Sequence, residues 1–190
     1  MVCSAYAVDK ESLVLGITEF VIRIRQNHAL EHATMHILTR SVPSLRLVGR
    51  SDWTGFTLYG EVDTQQVLCA VTEGLARLKE GQSWLAVHPR CGTNLAVTAF
   101  LMSSGAALTA LAPIRPRMAK AMAIVATMIG ARQLSSTFSQ AVQRSVTTIP
   151  DVEDAHIRLV RRENHGSLTT HRVLVRHDKQ ADSYVLHPPR

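Results

Sequence analysis

Apolar residues at Leu13, Val14, Ile17, Phe20, Val21 and Ile24, then Met35 and Leu38, recur at spacings of three and four. That period lines one face of a helix running from Asp9 to Arg40. Asn27, a residue type favoured at N-caps, is where so long a helix could break. Pro43 closes the region. LRLVGRSD and GFTLYGEV then read as two short strands with SDWTG as the turn between them. Asp63, three residues before Gln66, opens the helix DTQQVLCAVTEGLARLKE in the manner of a capping box. Its inward positions are Val67, Leu68, Val71, Leu75 and Leu78, and Gly81 stops it. SWLAVHP reads as a third strand. Residues 1–93 therefore spell helix, strand, strand, helix, strand, an α+β domain.

The pattern then changes. Leu95–Ala112, LAVTAFLMSSGAALTALA, is eighteen residues without a charge, long enough for a transmembrane helix. Pro113 closes it, IRPRMAK makes a basic turn, and AMAIVATMIGA adds eleven uncharged residues before Arg132. The second run is too short to span alone, but snorkelling of Lys120 and Arg132 would extend it. Ser103, Ser104, Gly105, Ala106 and Ala107 on one side, and Ala126, Gly130 and Ala131 on the other, allow close helix approach. Residues 94–145 are expected to be a membrane-embedded helical hairpin. In residues 146–190, DAHIRLVRREN and SLTTHRVLVRHD read as the arms of a β-hairpin turning at NHGS. Its histidines, His156, His165, His171 and His177, are expected on a solvated strand face.

Composition narrows the partners. A hydrophobic fraction of 46% with 19% charge excludes a disordered chain. The net charge is +6, but the basic residues are scattered. The densest groups are Arg158, Arg161, Arg162 and Arg115, Arg117, Lys120, with no aromatic platform beside them, so nucleic acid is not an expected partner. Membrane lipid is. No feature specifies an oligomeric state. The opening, MVCSAYAVDKESLVL, lacks the basic, apolar and small-residue order of a signal peptide. With the basic residues concentrated in the flanking domains, the expectation is a bacterial membrane protein whose N- and C-terminal domains are cytoplasmic. Cys3, Cys69 and Cys91, odd in number and widely spaced, do not form a disulfide framework.

Candidate chemistry begins at NHALEH, residues 27–32. On a wheel of about 100° per residue with Ile24 at zero, His28 falls near +40°, Glu31 near −20° and His32 near +80°. His28 and Glu31 thus continue the apolar stripe, with His32 at its edge. A carboxylate on a buried face needs a cation or hydrogen-bond donors. Two imidazoles one turn apart can converge on one zinc ion. His36, near +120°, points off the stripe. A third ligand is sought in HPRCGTN, residues 88–94, where Pro89 and Gly92 fix a tight loop and His88 and Cys91 are both competent. Glu73 sits mid-helix, and Cys3 and Cys69 look incidental.

RQNHALEHATMHIL, GRSDWTGFTLYGEV and LAVHPRCGTNL, followed by an apolar helical pair, resemble an uncharacterised family of membrane-associated bacterial proteins, a domain of unknown function. The likeness covers about residues 20–175. It implies that NHALEH and HPRCGTN are hallmarks and implies no reaction. H-x-x-E-H also resembles the inverzincin peptidase motif, in which the histidines hold zinc and the glutamate activates water. That likeness spans five residues, and the group's distant acidic ligand has no counterpart here. The expected site is zinc at His28, His32 and Cys91, with His88 as alternate or supporting ligand. Glu31 is the expected general base of a hydrolase, with a peptide bond as the substrate class. The alternative is a non-enzymatic membrane subunit whose His/Cys cluster is structural or empty.

Overall fold

The computed structural model describes residues 10–165 and 168–178. Helix α1 (Lys10–Ser41) leads to strands β1 (Val48–Asp52) and β2 (Gly55–Tyr59), helix α2 (Thr64–Lys79) and a 3₁₀ turn (Ser83–Ala86). Helices α3 (Gly92–Leu111) and α4 (Arg117–Val142) follow, then a π turn (Gln143–Thr147) and strands β3 (Ala155–His165) and β4 (Leu168–His177). The α+β class expected from the periodicity holds, as do the apolar helical pair and the C-terminal hairpin.

The four strands form one antiparallel sheet in the order β1-β2-β4-β3. Phe56 pairs with Val173, and Leu58 with His171, across the β2–β4 seam. The C-terminal hairpin therefore completes the sheet that β1 and β2 begin, and the chain on either side of α3–α4 folds as one body. The core joins Ala29, Leu30, Ala33 and Leu38 of α1, Val67, Val71 and Leu78 of α2, and Phe56, Leu58, Val173 and Val175 of the sheet. Val173 and Val175, two apart, share one strand face. Asp63 caps α2: its Oδ1 accepts the Gln65 N–H at 2.8 Å and the Gln66 N–H at 3.2 Å. Two donors that have no partner inside the helix are satisfied in this way.

Three local expectations change. SWLAVHP is not a strand; Ser83–Ala86 closes into a 3₁₀ turn with Leu85 and Ala86 buried. A four-residue apolar run carries no period that separates a strand from a helical turn. Here it packs against α1 instead of pairing with a sheet edge. Helix α1 runs unbroken through Asn27, which is buried. The Asn27 amide donates to Asp52 O at 2.8 Å and accepts from the His177 ring at 3.1 Å, so its polarity serves tertiary contacts. His171 and His177 are buried in the packed side of β4 rather than solvated. The turn residues Gly166 and Ser167, the N-terminal Cys3 and the tail ADSYVLHPPR lie outside the described residues.

Helices α3 and α4 pack on each other. The hairpin is tied by the Thr109 and Thr127 hydroxyls, 3.0 Å apart, and by Lys120 Nζ donating to Ala110 O at 2.9 Å. Leu95, Phe100, Leu108, Met122, Val125 and Ile129 are exposed on its outside. Among the described residues α3 is the one helix long and apolar enough to cross a membrane, and no part of that span is buried.

Candidate metal centre

His28 and His32 stand one turn apart on α1 with ring centroids 4.3 Å apart. His32 Nδ1 lies 2.7 Å from Ala86 O in the 3₁₀ turn, and His28 Nδ1 lies 3.0 Å from Thr147 O in the π turn. A carbonyl oxygen only accepts, so each Nδ1 carries a hydrogen, and each neutral ring keeps its lone pair on Nε2. This backbone tether to the far ring nitrogen is the usual way a metal-binding histidine is oriented. Cys91 Sγ lies 3.4 Å from His28 Nε2, and the three candidate ligand atoms of His28, His32 and Cys91 lie within 4.8 Å of one another. His32 Nε2 is buried with no hydrogen-bond partner. An orphan acceptor of that kind, facing two other acceptors, fits a cation. Tetrahedral zinc with ordinary Zn–N and Zn–S bonds would set ligand atoms about 3.4–3.6 Å apart, the scale of the His28–Cys91 separation.

Cys91 is also the N-cap of α3, its Sγ accepting the Thr93 N–H at 3.4 Å. Burial works against its thiolate. When the His32 ring is protonated, its hydrogen bond and charge, with the Thr93 hydroxyl and N–H, outweigh burial and hold the thiol below its ordinary value; in the neutral ring with a free Nε2 lone pair only the Thr93 donors act on it. The loop carrying it is clamped by Gln143 at the start of the π turn. Gln143 Oε1 accepts the His88 N–H at 2.8 Å, and Gln143 Nε2 donates to Asn94 Oδ1 at 2.7 Å.

Glu31 is 4% exposed. The Ser51 hydroxyl of β1 donates to its Oε2. Its Oε1 lies over Gly49, where a Cβ would stand 2.0 Å away, so only glycine leaves room for the carboxyl. Burial raises the Glu31 pKa, against the Ser51 hydrogen bond and the charge of His28. His28, Glu31, Gly49, Ser51, Cys91 and Thr93 line one cleft of about 200 Å³.

The structure thus brings together His28, His32 and Cys91, with Glu31 on the wall of the cleft that His28 and Cys91 also line. It leaves His88 out of the converging set. His88 Nδ1 accepts the Arg90 N–H at 3.2 Å, which puts the hydrogen of the neutral ring on Nε2. Burial, then the charges of His36, His32 and Arg90, push its pKa down to about 3, so the ring stays neutral. His36 donates from Nε2 to Val87 O at 2.8 Å and stacks edge-on to Trp84 and His88, outside the converging set. Glu73 pairs with Arg77, and Cys69 is exposed. A hollow of about 710 Å³ around His36, Arg40, Glu73, Arg77 and Trp84 is lined by none of the three clustered residues. Sequence reasoning missed Ser51, Gly49, Gln143 and the carbonyls of Ala86 and Thr147. The carbonyls leave no trace in residue type. Gly49 and Ser51, alternate residues of a predicted strand, share a face that meets the Glu31 stripe, and that alternation is the signal that could have found them.

A family model described as a domain of unknown function, DUF6391, matches residues 23–160. The chain belongs to the DUF6391 family. The matched range includes both NHALEH and HPRCGTN, and an uncharacterised family is what the sequence blocks implied. An uncharacterised protein of Picosynechococcus sp. is 41% identical over 103 residues, covering 50% of this chain and 49% of that relative. The chain thus spans about half the length of the curated relative it matches. No solved structure matches. The description of DUF6391 assigns no reaction.

Proposed function

We propose that the chain is a membrane-anchored, zinc-dependent hydrolase with a peptide bond as its substrate class. One observation carries this reading. The Nδ1–H groups of His28 and His32 are each tied to a backbone carbonyl, which leaves two Nε2 lone pairs beside Cys91 Sγ. Three protein ligands leave zinc a fourth position, the arrangement of catalytic rather than structural sites. Zinc, when bound, supplies Lewis-acid polarisation and lowers the pKa of water. The chain's own residues do the rest. Ser51 fixes one oxygen of Glu31, and the other remains at the wall of the cleft over Gly49. A carboxyl whose pKa is raised by burial is suited to take a proton from water and return it to a leaving amine. The anchoring is supported by α3: twenty residues at about 1.5 Å each match a bilayer core of about 30 Å, and the hairpin's outer faces are apolar.

A second reading rests on the same carboxyl. Glu31 is already engaged by Ser51 and packed on Gly49, so it could serve only to join α1 to β1 beside a non-catalytic metal knot. Elemental analysis of protein purified without affinity metals comes first. About one zinc per chain is expected, falling sharply in His32→Ala. Glu31→Gln should keep its zinc while hydrolysis of a mixed fluorogenic peptide library drops about 10²–10⁴-fold. Absence of metal from the parent protein would sink both readings, and zinc retention with unchanged turnover in Glu31→Gln would leave only the second.

A further inference from the structure

A second cleft, of about 360 Å³, opens on the other side of Cys91, at the base of the α3–α4 hairpin. Arg90, Asn94 and Thr98 line it from the loop and the first turns of α3, and Arg132, Ser136 and Ser139 line it from α4. Some of its polar groups are already used. Ser135 donates to Arg132 O at 2.7 Å, and the Asn94 amide is held by Pro89 O and Gln143. Others are not. Ser139 is 1% exposed and its Oγ is buried with no partner. Among the described residues neither Arg90 nor Arg132 has an ion-pair partner, and no carboxylate lines the cleft. A buried hydroxyl without an acceptor is uncommon and calls for one. Two guanidiniums with several hydroxyl donors match an anion of three or four oxygens better than a two-oxygen carboxylate.

We infer that this cleft binds a phosphate-type oxyanion through Arg132, Arg90 and Ser139, and, resting on the hydrolase reading, that the amide-bearing molecule presented to the metal cluster carries this group. Cys91 lines both clefts, so an anion held here lies beside the proposed zinc. Thr98 is six residues beyond Gly92, about 9 Å along α3, so the cleft sits near the helix start rather than at its middle. In a membrane-spanning hairpin that is the depth of lipid headgroups, where arginine is tolerated. The oxyanion therefore comes either from a phospholipid headgroup or from a soluble phosphate ester.

The full chain, released into neutral detergent, is titrated with inorganic phosphate while its thermal midpoint is followed by tryptophan fluorescence. In parallel, native mass spectrometry scores retention of phosphatidylglycerol against phosphatidylcholine. Phosphate should raise the midpoint saturably, with apparent affinity at least about tenfold weaker in Arg132→Gln and several-fold weaker in Ser139→Ala. Arg77→Gln, in the separate hollow, should behave as the parent. Selective retention of phosphatidylglycerol assigns a lipid source; phosphate binding without lipid preference assigns a soluble ester. Failure of phosphate and phosphatidylglycerol alike to bind, or unchanged binding in Arg132→Gln and Ser139→Ala, overturns the inference. Zinc is measured in the same samples. Zinc without anion binding removes this subsite alone, whereas anion binding without zinc removes the hydrolase and leaves the oxyanion site.

Discussion

A single methyl group at Gly49 tests whether Glu31 is held where its chemistry requires. In Gly49→Ala the new carbon would stand 2.0 Å from Glu31 Oε1, 2.4 Å from Cδ and 2.8 Å from Cγ. Non-bonded contact needs about 3.5 Å, so the carboxyl must retreat by more than about 1 Å. That retreat breaks the Ser51 hydrogen bond. Overpacking costs about 1–3 kcal/mol and an unsatisfied buried group about 1–3 kcal/mol, so with partial relaxation the expected loss is about 2–4 kcal/mol. Gly49 is not among the glycines with positive φ, so backbone strain adds nothing. The thermal midpoint should fall by about 5–15 °C, read by fluorescence of Trp53 and Trp84. Zinc content should be unchanged, because none of the three ligand atoms is touched. The decisive comparison is a double-mutant cycle with Glu31→Ala. Truncating Glu31 vacates the space the methyl needs, so Gly49→Ala should be neutral or stabilising in that background, a coupling of about 1–3 kcal/mol. In Glu31→Gln, which keeps the shape, the methyl should still be harmful. Equal cost of Gly49→Ala with and without the Glu31 side chain would refute the packing on which this depends.

Other consequences are simpler to read. Asp63→Ala removes the cap of α2 and should cost about 1 kcal/mol, seen as a lowered thermal midpoint with zinc content intact. His171 is fully buried, and burial, with a smaller contribution from Arg162, lowers its pKa against the opposing Asp63 and Glu61. The folded state then binds fewer protons than the unfolded one, so stability is full above pH about 6.5 and declines as the pH falls toward the depressed folded value. Melts from pH 7.5 to 5 should show that decline, and His171→Gln should make it shallower, leaving the part due to His88 and His177. If the hairpin crosses the bilayer, the protein will sediment with membranes and resist carbonate; recovery as a detergent-independent soluble monomer would exclude the anchor.

Elements with a clean period were legible in the sequence. The α1 helix, the α2 cap at Asp63 and the uncharged run of α3 all appear in the structure, but of the α1 stripe Met35 and Leu38 are buried, while Val14, Ile17, Phe20 and Val21 are exposed. What failed was non-local. Ser83–Ala86 is apolar enough for a strand, but which way four residues turn depends on the α1 surface they meet. Asn27 carried the mark of a helix cap, yet its amide is used by Asp52 and His177, distant in sequence. His171 and His177 looked like solvated residues because nothing in an alternating strand says which face the sheet will bury. At the site, wheel geometry put His28 and Glu31 on the stripe and His32 at its edge, whereas Glu31 and His32 are buried and His28 is half-buried, and it could not rank His88 against Cys91. That choice is made by the Arg90 amide, which takes up one ring nitrogen of His88.

The hydrogen bond from His28 to Thr147 has a bearing on how the protein is made. Residues 28, 32 and 91 leave the ribosome before α4 exists, so the three candidate ligands are present while the carbonyl that orients His28 is still unsynthesised. Until that point the imidazole can exchange between tautomers, and only one of them offers Nε2 to an ion. On the zinc reading, tight metallation therefore waits for the hairpin to be finished and its end brought back beside α1. A nascent chain arrested before Thr147 would hold zinc weakly, whereas one released after it would hold it firmly. On that reading, loading of the metal is timed by translation, coming only after the long apolar segments have been made.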